Sequence, residues 1–227
     1  MRTHQVGIDA EWRPIRKKGQ KERLAVVQLA WQGQGEQDGL QVVVLDVPRL
    51  VGALERWGDD ERRGGEAEAS CTENLATDED MFAAREQHRL AEAAVALFAV
   101  VGHVMASQQI LKVGFDVRGD LKKMARAHTT IAAALRPVEA LLDLSAWYTA
   151  CKPGGARISL ARLVAEFLDA ELNKDACLSN WEARPLSRQQ LQYAALDASV
   201  LLPLWRRLNA ALPVHFRDLL ASFKAKT

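Results

Sequence analysis

The 227 residues suit one domain, or one domain with a long insertion; 48% hydrophobic and 26% charged residues make an ordinary globular composition with ample core material. Lys and Arg number 30 against 29 Asp and Glu, a formal net charge of +1. Evenly spread, such a balance would argue against nucleic acid; here the charges are segregated.

Cys71, Cys151 and Cys177 are odd in number and share no CxxC spacing. A disulfide framework or zinc knuckle is thereby disfavoured, and a reducing, intracellular compartment (cytoplasm or nucleus) is the expectation. The most apolar stretch, Ala93 to Ala106, is short for a bilayer span and contains His103. It reads as a buried helix, and no membrane partner is expected. No basic segment followed by an apolar one opens the chain, which disfavours secretion.

Val6 to Trp12 alternates like a strand; Leu24 to Trp31 and Gln41 to Asp46 are β-branched-rich runs. The turn chemistry of Gln32 to Gly39 between them suggests an antiparallel meander, and its glycines fit no nucleotide fingerprint. A helix is expected from Arg49 to Trp57, breaking at Gly58. From Gly58 to Asp80 there are nine acids and two bases with little periodicity. This segment reads as a mobile insertion, with the helix resuming from about Met81 to Ser107.

Ile110 to Gly114 reads as a short buried strand, followed by a helix from Val117 to Ala127 and a last strand from Val138 to Leu142. Helices are then expected at Leu144 to Cys151, Ser159 to Asp169, Ser187 to Asn209 and Val214 to Lys224, with a loop at Pro153-Gly154-Gly155. Meander strands followed by alternating strands and helices make an α/β fold: a mixed sheet covered by helices on both faces. Ser187 and Gln190 have capping-box spacing, and Leu186 and Leu191 occupy staple positions, so this helix start should be rigid.

Asp9 and Glu11 are two apart on a strand and leave the same face. Asp120 follows a strand-to-helix passage, and Tyr193 and Asp197 share a helix face. Singly these are weak signals, and four unrelated surface acids would show the same spacing. If the four carboxylates met, they would repel one another unless cations neutralised them. Hard divalent ions with oxygen ligands, Mg²⁺ or Mn²⁺, suit such a set.

Val6-Gly-Ile-Asp9-Ala-Glu11-Trp12 resembles the first motif of the DEDD 3′–5′ exonucleases, and Lys112 to Leu121 resembles the second. Leu178 to Ala198, with Tyr193 and Asp197, resembles the third together with its lead-in. The order is kept, and the resemblance runs from Val6 to about Leu208. Gln192 stands where one branch has His, so the chain resembles the tyrosine branch, which includes RNase D and the Werner-syndrome exonuclease domain. Asp116 stands where some relatives have Asn, and the acidic segment has no counterpart in the motif pattern.

The resemblance implies an RNase H-like sheet. It implies two divalent cations, Mg²⁺ or Mn²⁺, held by Asp9, Glu11, Asp120 and Asp197, with Tyr193 orienting the attacking water. The implied partner is nucleic acid with a free 3′ end, cleaved to nucleoside 5′-monophosphates. A catalytically silent binding module for nucleic acid or protein on the same fold is the alternative. DNA versus RNA is left open.

Arg13, Arg16, Lys17, Lys18, Lys21 and Arg23 follow the first motif, opposed only by Glu22. They read either as contacts to a substrate backbone or as a solvated loop. Trp12 reads as stacking on a terminal base or packing beneath the strand end. Lys122, sharing a face with Arg126, tracks phosphates or faces solvent. Arg184 reads as a phosphate contact and Trp181 as packing. His103, His128 and His215 show no ligand spacing. Without residues 58–80 the body carries 28 bases and 20 acids, a formal +8. The near-neutral total thus conceals a basic body and one acidic segment, whose charge suggests either docking of a protein partner or an autoinhibitory role.

Overall fold

In the computed structural model, residues 4–15, 17–33, 39–67, 77–151 and 157–211 are described, without the side chains of 60–67 and 78. The expected Val214 to Lys224 helix, the Pro153 loop, Cys71, His215 and Arg16 lie outside the described residues, as do positions 68–76.

Three strands form the expected meander: β1 (His4–Trp12), β2 (Leu24–Gln32) and β3 (Leu40–Asp46). After helices α1 (Val47–Ala67) and α2 (Asp78–Ala106) come β4 (Ile110–Gly114), α3 (Val117–Ala127), α4 (Thr129–Ala134) and β5 (Leu141–Asp143). The chain continues through α5 (Leu144–Cys151), α6 (Leu160–Leu168), α7 (Arg188–Ser199) and α8 (Leu201–Ala211). The sheet order is β3-β2-β1-β4-β5. β1 pairs antiparallel with β2 and parallel with β4, so the first motif occupies the central strand of a mixed sheet.

Alternation along β1 divides its side chains between two layers. Ile8 and Ala10 join Leu29, Phe98, Met105, Leu121 and Met124 in a core under α1 to α4. A second core, built on Leu111, Val113 and Leu142, takes in Trp147, Leu163, Leu201 and Leu204 from α5, α6 and α8. Helices therefore cover both faces, as the element order implied.

Three expectations change. The helix starting near Arg49 does not break at Gly58; α1 runs to Ala67, and Trp57 meets the ring of His88 on α2 edge-on at 5.7 Å. One helical glycine costs about 1 kcal/mol, which packing of α1 on α2 offsets. The other end of the acidic stretch is ordered too, because Thr77 and Asp80 form a capping box that starts α2. Second, α2 is not buried all round: Ala91, Ala94, Phe98, Val101 and Met105 face the core while Val95 and Val100 stay exposed. Third, the helix from Ser187 divides at Val200, since Pro203 has no N–H for the Ser199 carbonyl.

One buried side chain organises the passage that carries Asp120. The Asp143 carboxylate at the end of β5 accepts the N–H groups of Asp116 (3.0 Å) and Arg118 (3.4 Å) at the start of α3. It also accepts those of Ser145 (3.1 Å) and Ala146 (3.4 Å), capping α5. Asp116 itself adopts a left-handed φ of 53°, and a Cβ at Gly114 would collide with Val117, so the turn is tight. Asp143→Ala strands four backbone donors and is expected to lower unfolding free energy by about 2–4 kcal/mol, with Asp143→Asn costing less. Urea unfolding of the three proteins checks the order.

Candidate active site

Position 7 on β1 must be glycine for the site to close. A Cβ there would run into the carbonyl oxygen of Ala198, so α7 is seated directly on the strand. Asp9 and Glu11 leave the same face of β1 as Gly7, and Asp197 is the residue before Ala198. The three carboxylates offer oxygen atoms within 4.8 Å of one another. The start of α7 is fixed by the expected capping box: Ser187 Oγ accepts from Gln190 N–H at 3.2 Å, and Gln190 Oε1 accepts from Ser187 N–H at 3.0 Å. Of the expected staple pair, Leu186 packs beside Trp181 while Leu191 is 43% exposed.

Asp120 stands apart from this trio. Its Oδ1 accepts the indole N–H of Trp12 at 3.1 Å and lies 4.0 Å from the Lys123 ammonium, which also sits 5.2 Å above the Trp12 ring. A register shift in the β1–β2 ladder between Glu11 and Trp12 accompanies this placement. Asp120 nonetheless lies close enough for its charge to raise the pKa values of Asp9 and Glu11.

Burial and mutual repulsion disfavour the charged forms of all four acids. Asp9 is pushed up to about 8, by burial first and the charge of Asp197 second. Glu11 is pushed up to about 9, by burial and then by Asp9. Asp120 and Asp197 rise through burial, against the pull of Lys123 on one and of Tyr193 and Lys174 on the other. Groups so coupled titrate as a cluster. Burial, followed by the charge and hydrogen bond of Asp197, holds the Tyr193 hydroxyl far above its usual range, so it stays protonated and donates to that carboxylate. The Tyr193 ring packs 5.9 Å from Trp181, which is fully buried as expected. An all-oxygen donor set that resists ionisation fits a hard divalent cation.

The basic residues expected at the substrate divide. Arg184 has every guanidinium nitrogen engaged within the protein. Its Nε and Nη2 bind Asp46 at 2.6 and 2.8 Å, Nη1 donates to the carbonyls of Trp181 and Ala183, and Nη2 also reaches that of Ala25. It ties the lead-in of the third motif to β2 and β3, so the phosphate reading is corrected: no donor is left over. Arg13 is held through Nη1 by Glu182 at 3.3 Å and through Nη2 by the Lys21 carbonyl, while its buried Nε has no partner. Trp12 supports Asp120 and packs against the core, which favours the packing reading over base stacking. Lys17, Lys18 and Lys122 are exposed.

Lys174, on the turn before the third motif, was not singled out by spacing, because its turn has no period. Lys123 is the i+3 neighbour of Asp120, a relation visible in the sequence. His128 caps α4 through Nδ1, which accepts from Thr130 N–H at 3.2 Å; it belongs to no ligand group.

A 3′–5′ exonuclease family model matches residues 71–213, a span that includes Asp120, Tyr193 and Asp197 and begins after β1. Human exonuclease mut-7 homolog is 26% identical over 219 residues, 92% of this chain and 20% of that protein. Ribonuclease D of Haemophilus influenzae is 47% identical over 58 residues, 26% of this chain and 14% of that one. The chain thus spans a fifth or less of the length of these relatives. The crystal structure of the Aedes aegypti Nibbler EXO domain superposes with a TM-score of 0.61 at 22% identity, covering 97% of this chain and 86% of that one. With more than half its length matched by the family model, and with a mixed sheet of RNase H type beneath the three motifs, this chain belongs to the tyrosine branch of the DEDD 3′–5′ exonucleases.

Proposed function

We propose that this domain removes nucleotides from the 3′ end of DNA or RNA by hydrolysing the terminal phosphodiester, releasing nucleoside 5′-monophosphates. The carboxylates of Asp9, Glu11 and Asp197, gathered within 4.8 Å, carry the proposal. In it, these three and Asp120 hold two divalent cations, Mg²⁺ or Mn²⁺. Bound there, such ions supply Lewis-acid stabilisation of the phosphoryl oxygens and a water of lowered pKa.

The protein's own groups do the positioning. Tyr193 stays protonated, so its part is to orient the attacking water by hydrogen bonding rather than to take its proton. Trp12 and Lys123 hold Asp120, whose charge reaches Asp9 and Glu11. Lys17, Lys18 and Lys122, exposed on the surface, together with Lys174, whose charge Asp197 senses, are the proposed contacts to the substrate backbone.

A 5′-labelled oligonucleotide should give a descending ladder with Mg²⁺ or Mn²⁺ and none with chelator. Asp9→Ala and Asp197→Ala should each lower the rate at least about 100-fold, beyond the usual cost of losing an outer-shell partner. Full-rate degradation by either variant refutes the assignment. Tight binding of the oligonucleotide with no turnover under either ion would make the domain a silent binding module instead.

Tyr193→Phe keeps the ring against Trp181 and removes the hydroxyl. A drop of about 10–100-fold in kcat with little change in KM is expected, measured by steady-state release of mononucleotide.

Asp9 and Glu11 titrate near 8 and 9 in the metal-free fold, against 3.8 and 4.5 ordinarily. The folded state therefore holds protons that the unfolded chain has released. Their contribution to stability is complete below about pH 4 and is lost as pH rises through 8 to 9. The thermal midpoint in chelator should fall over that range, and saturating Mn²⁺ should flatten the profile. A profile in chelator that is flat from pH 5 to 9 contradicts this.

A further inference from the structure

Gln28 is fully buried in the middle of β2, and neither its Nε2 nor its Oε1 has a hydrogen-bond partner. Among the described residues it is the side chain whose amide is left wholly unmet at both ends. Buried amides are rarely left so, because each group has given up its water for nothing.

The position of Gln28 limits what can satisfy it. In the β1–β2 ladder it stands directly opposite Asp9, and on its other side it pairs with Val44. Directly opposed residues share a face, with Cβ atoms about 4.5–5.5 Å apart. Gln28 therefore lies in the layer that Asp9 and Glu11 share with α7. Val26, two residues back on the same face, packs there against Trp181 and Ala194. Apolar Val44 and Val26 offer the amide nothing. Asp9 is the cross-strand neighbour with a hydrogen-bonding side chain, and once ionised it accepts only.

We propose that Gln28 is the positioning residue of Asp9: its amide N–H donates to the Asp9 carboxylate when that carboxylate holds a divalent cation. The inference rests on the metal site proposed above. Ligands of bound metals characteristically have such an outer partner, which fixes the orientation of the donor oxygen. A buried amide kept beside one ligand, at a cost to the metal-free fold, is the signature of a group whose partner is completed on binding.

The test uses Gln28→Leu and Gln28→Met in the full chain, neither of which replaces a proposed ligand. Mn²⁺ binding is measured by titration calorimetry, and thermal midpoints are measured in chelator. Both variants should keep or raise the metal-free midpoint, since an unmet amide is removed, while the Mn²⁺ dissociation constant rises about tenfold or more. Binding within twofold of the wild type in either variant overturns the inference. So does a lowered midpoint in chelator, which would make the amide part of the metal-free fold. A wild-type protein that binds no Mn²⁺ refutes the metal site itself, a different failure from an unaltered affinity in the variants.

Discussion

The contact between α7 and β1 governs the rest of the molecule. A helix carries its side chains around a cylinder several ångströms in radius, and two elements normally keep those side chains between their backbones. Here the backbone of α7 comes down on the strand because residue 7 has no side chain to hold it off. That approach delivers Asp197 to the level of Asp9 and Glu11, and it sets where the lead-in to α7 must run. Arg184 then secures the lead-in to Asp46 at the end of β3, so the helix start is held from both the cap and the loop.

The arrangement works against its own electrostatics. Carboxylates within 4.8 Å, covered by protein, repel one another and lose hydration together. The protein supplies partial relief to two of the four acids: the Tyr193 hydroxyl and the charge of Lys174 at Asp197, the Trp12 indole and Lys123 at Asp120. None of these neutralises Asp9 or Glu11. The site is thus held together by surrounding packing rather than by attraction among its members, and the strain is concentrated on the central strand. The rigid parts are where such a site needs them: a capped helix, a bracketed turn at Asp143, and a strand paired on both sides.

Much of this was legible locally. Alternation marked β1, period and breakers marked β4 and α3 to the residue, and the Ser187 capping box is formed as its spacing indicated. What escaped was decided by distant partners or by balance. Arg184 looked available for phosphate because Asp46 is 138 residues away in the chain. Gly58 looked like a helix end because its local cost is visible and the packing of α2 against α1 is not. Asp143 carries no local signal, because its acceptor role depends on the N–H groups of two separate helices. Pro203 inside a helical pattern is the one local mark of the division at Val200.

The role of Gly7 bears on how such domains diverge. In the run Gly7-x-Asp9-x-Glu11 the acids answer to chemistry and the glycine to the distance between two backbones. These are separate selective demands written into five residues. A lineage could surrender the acids and keep the glycine, preserving the architecture without catalysis. One that exchanged the glycine would have to reseat an entire helix before its acids could meet again. Glycine retained at that position in a diverged copy therefore testifies to ancestry, and only the acids beside it testify to an enzyme.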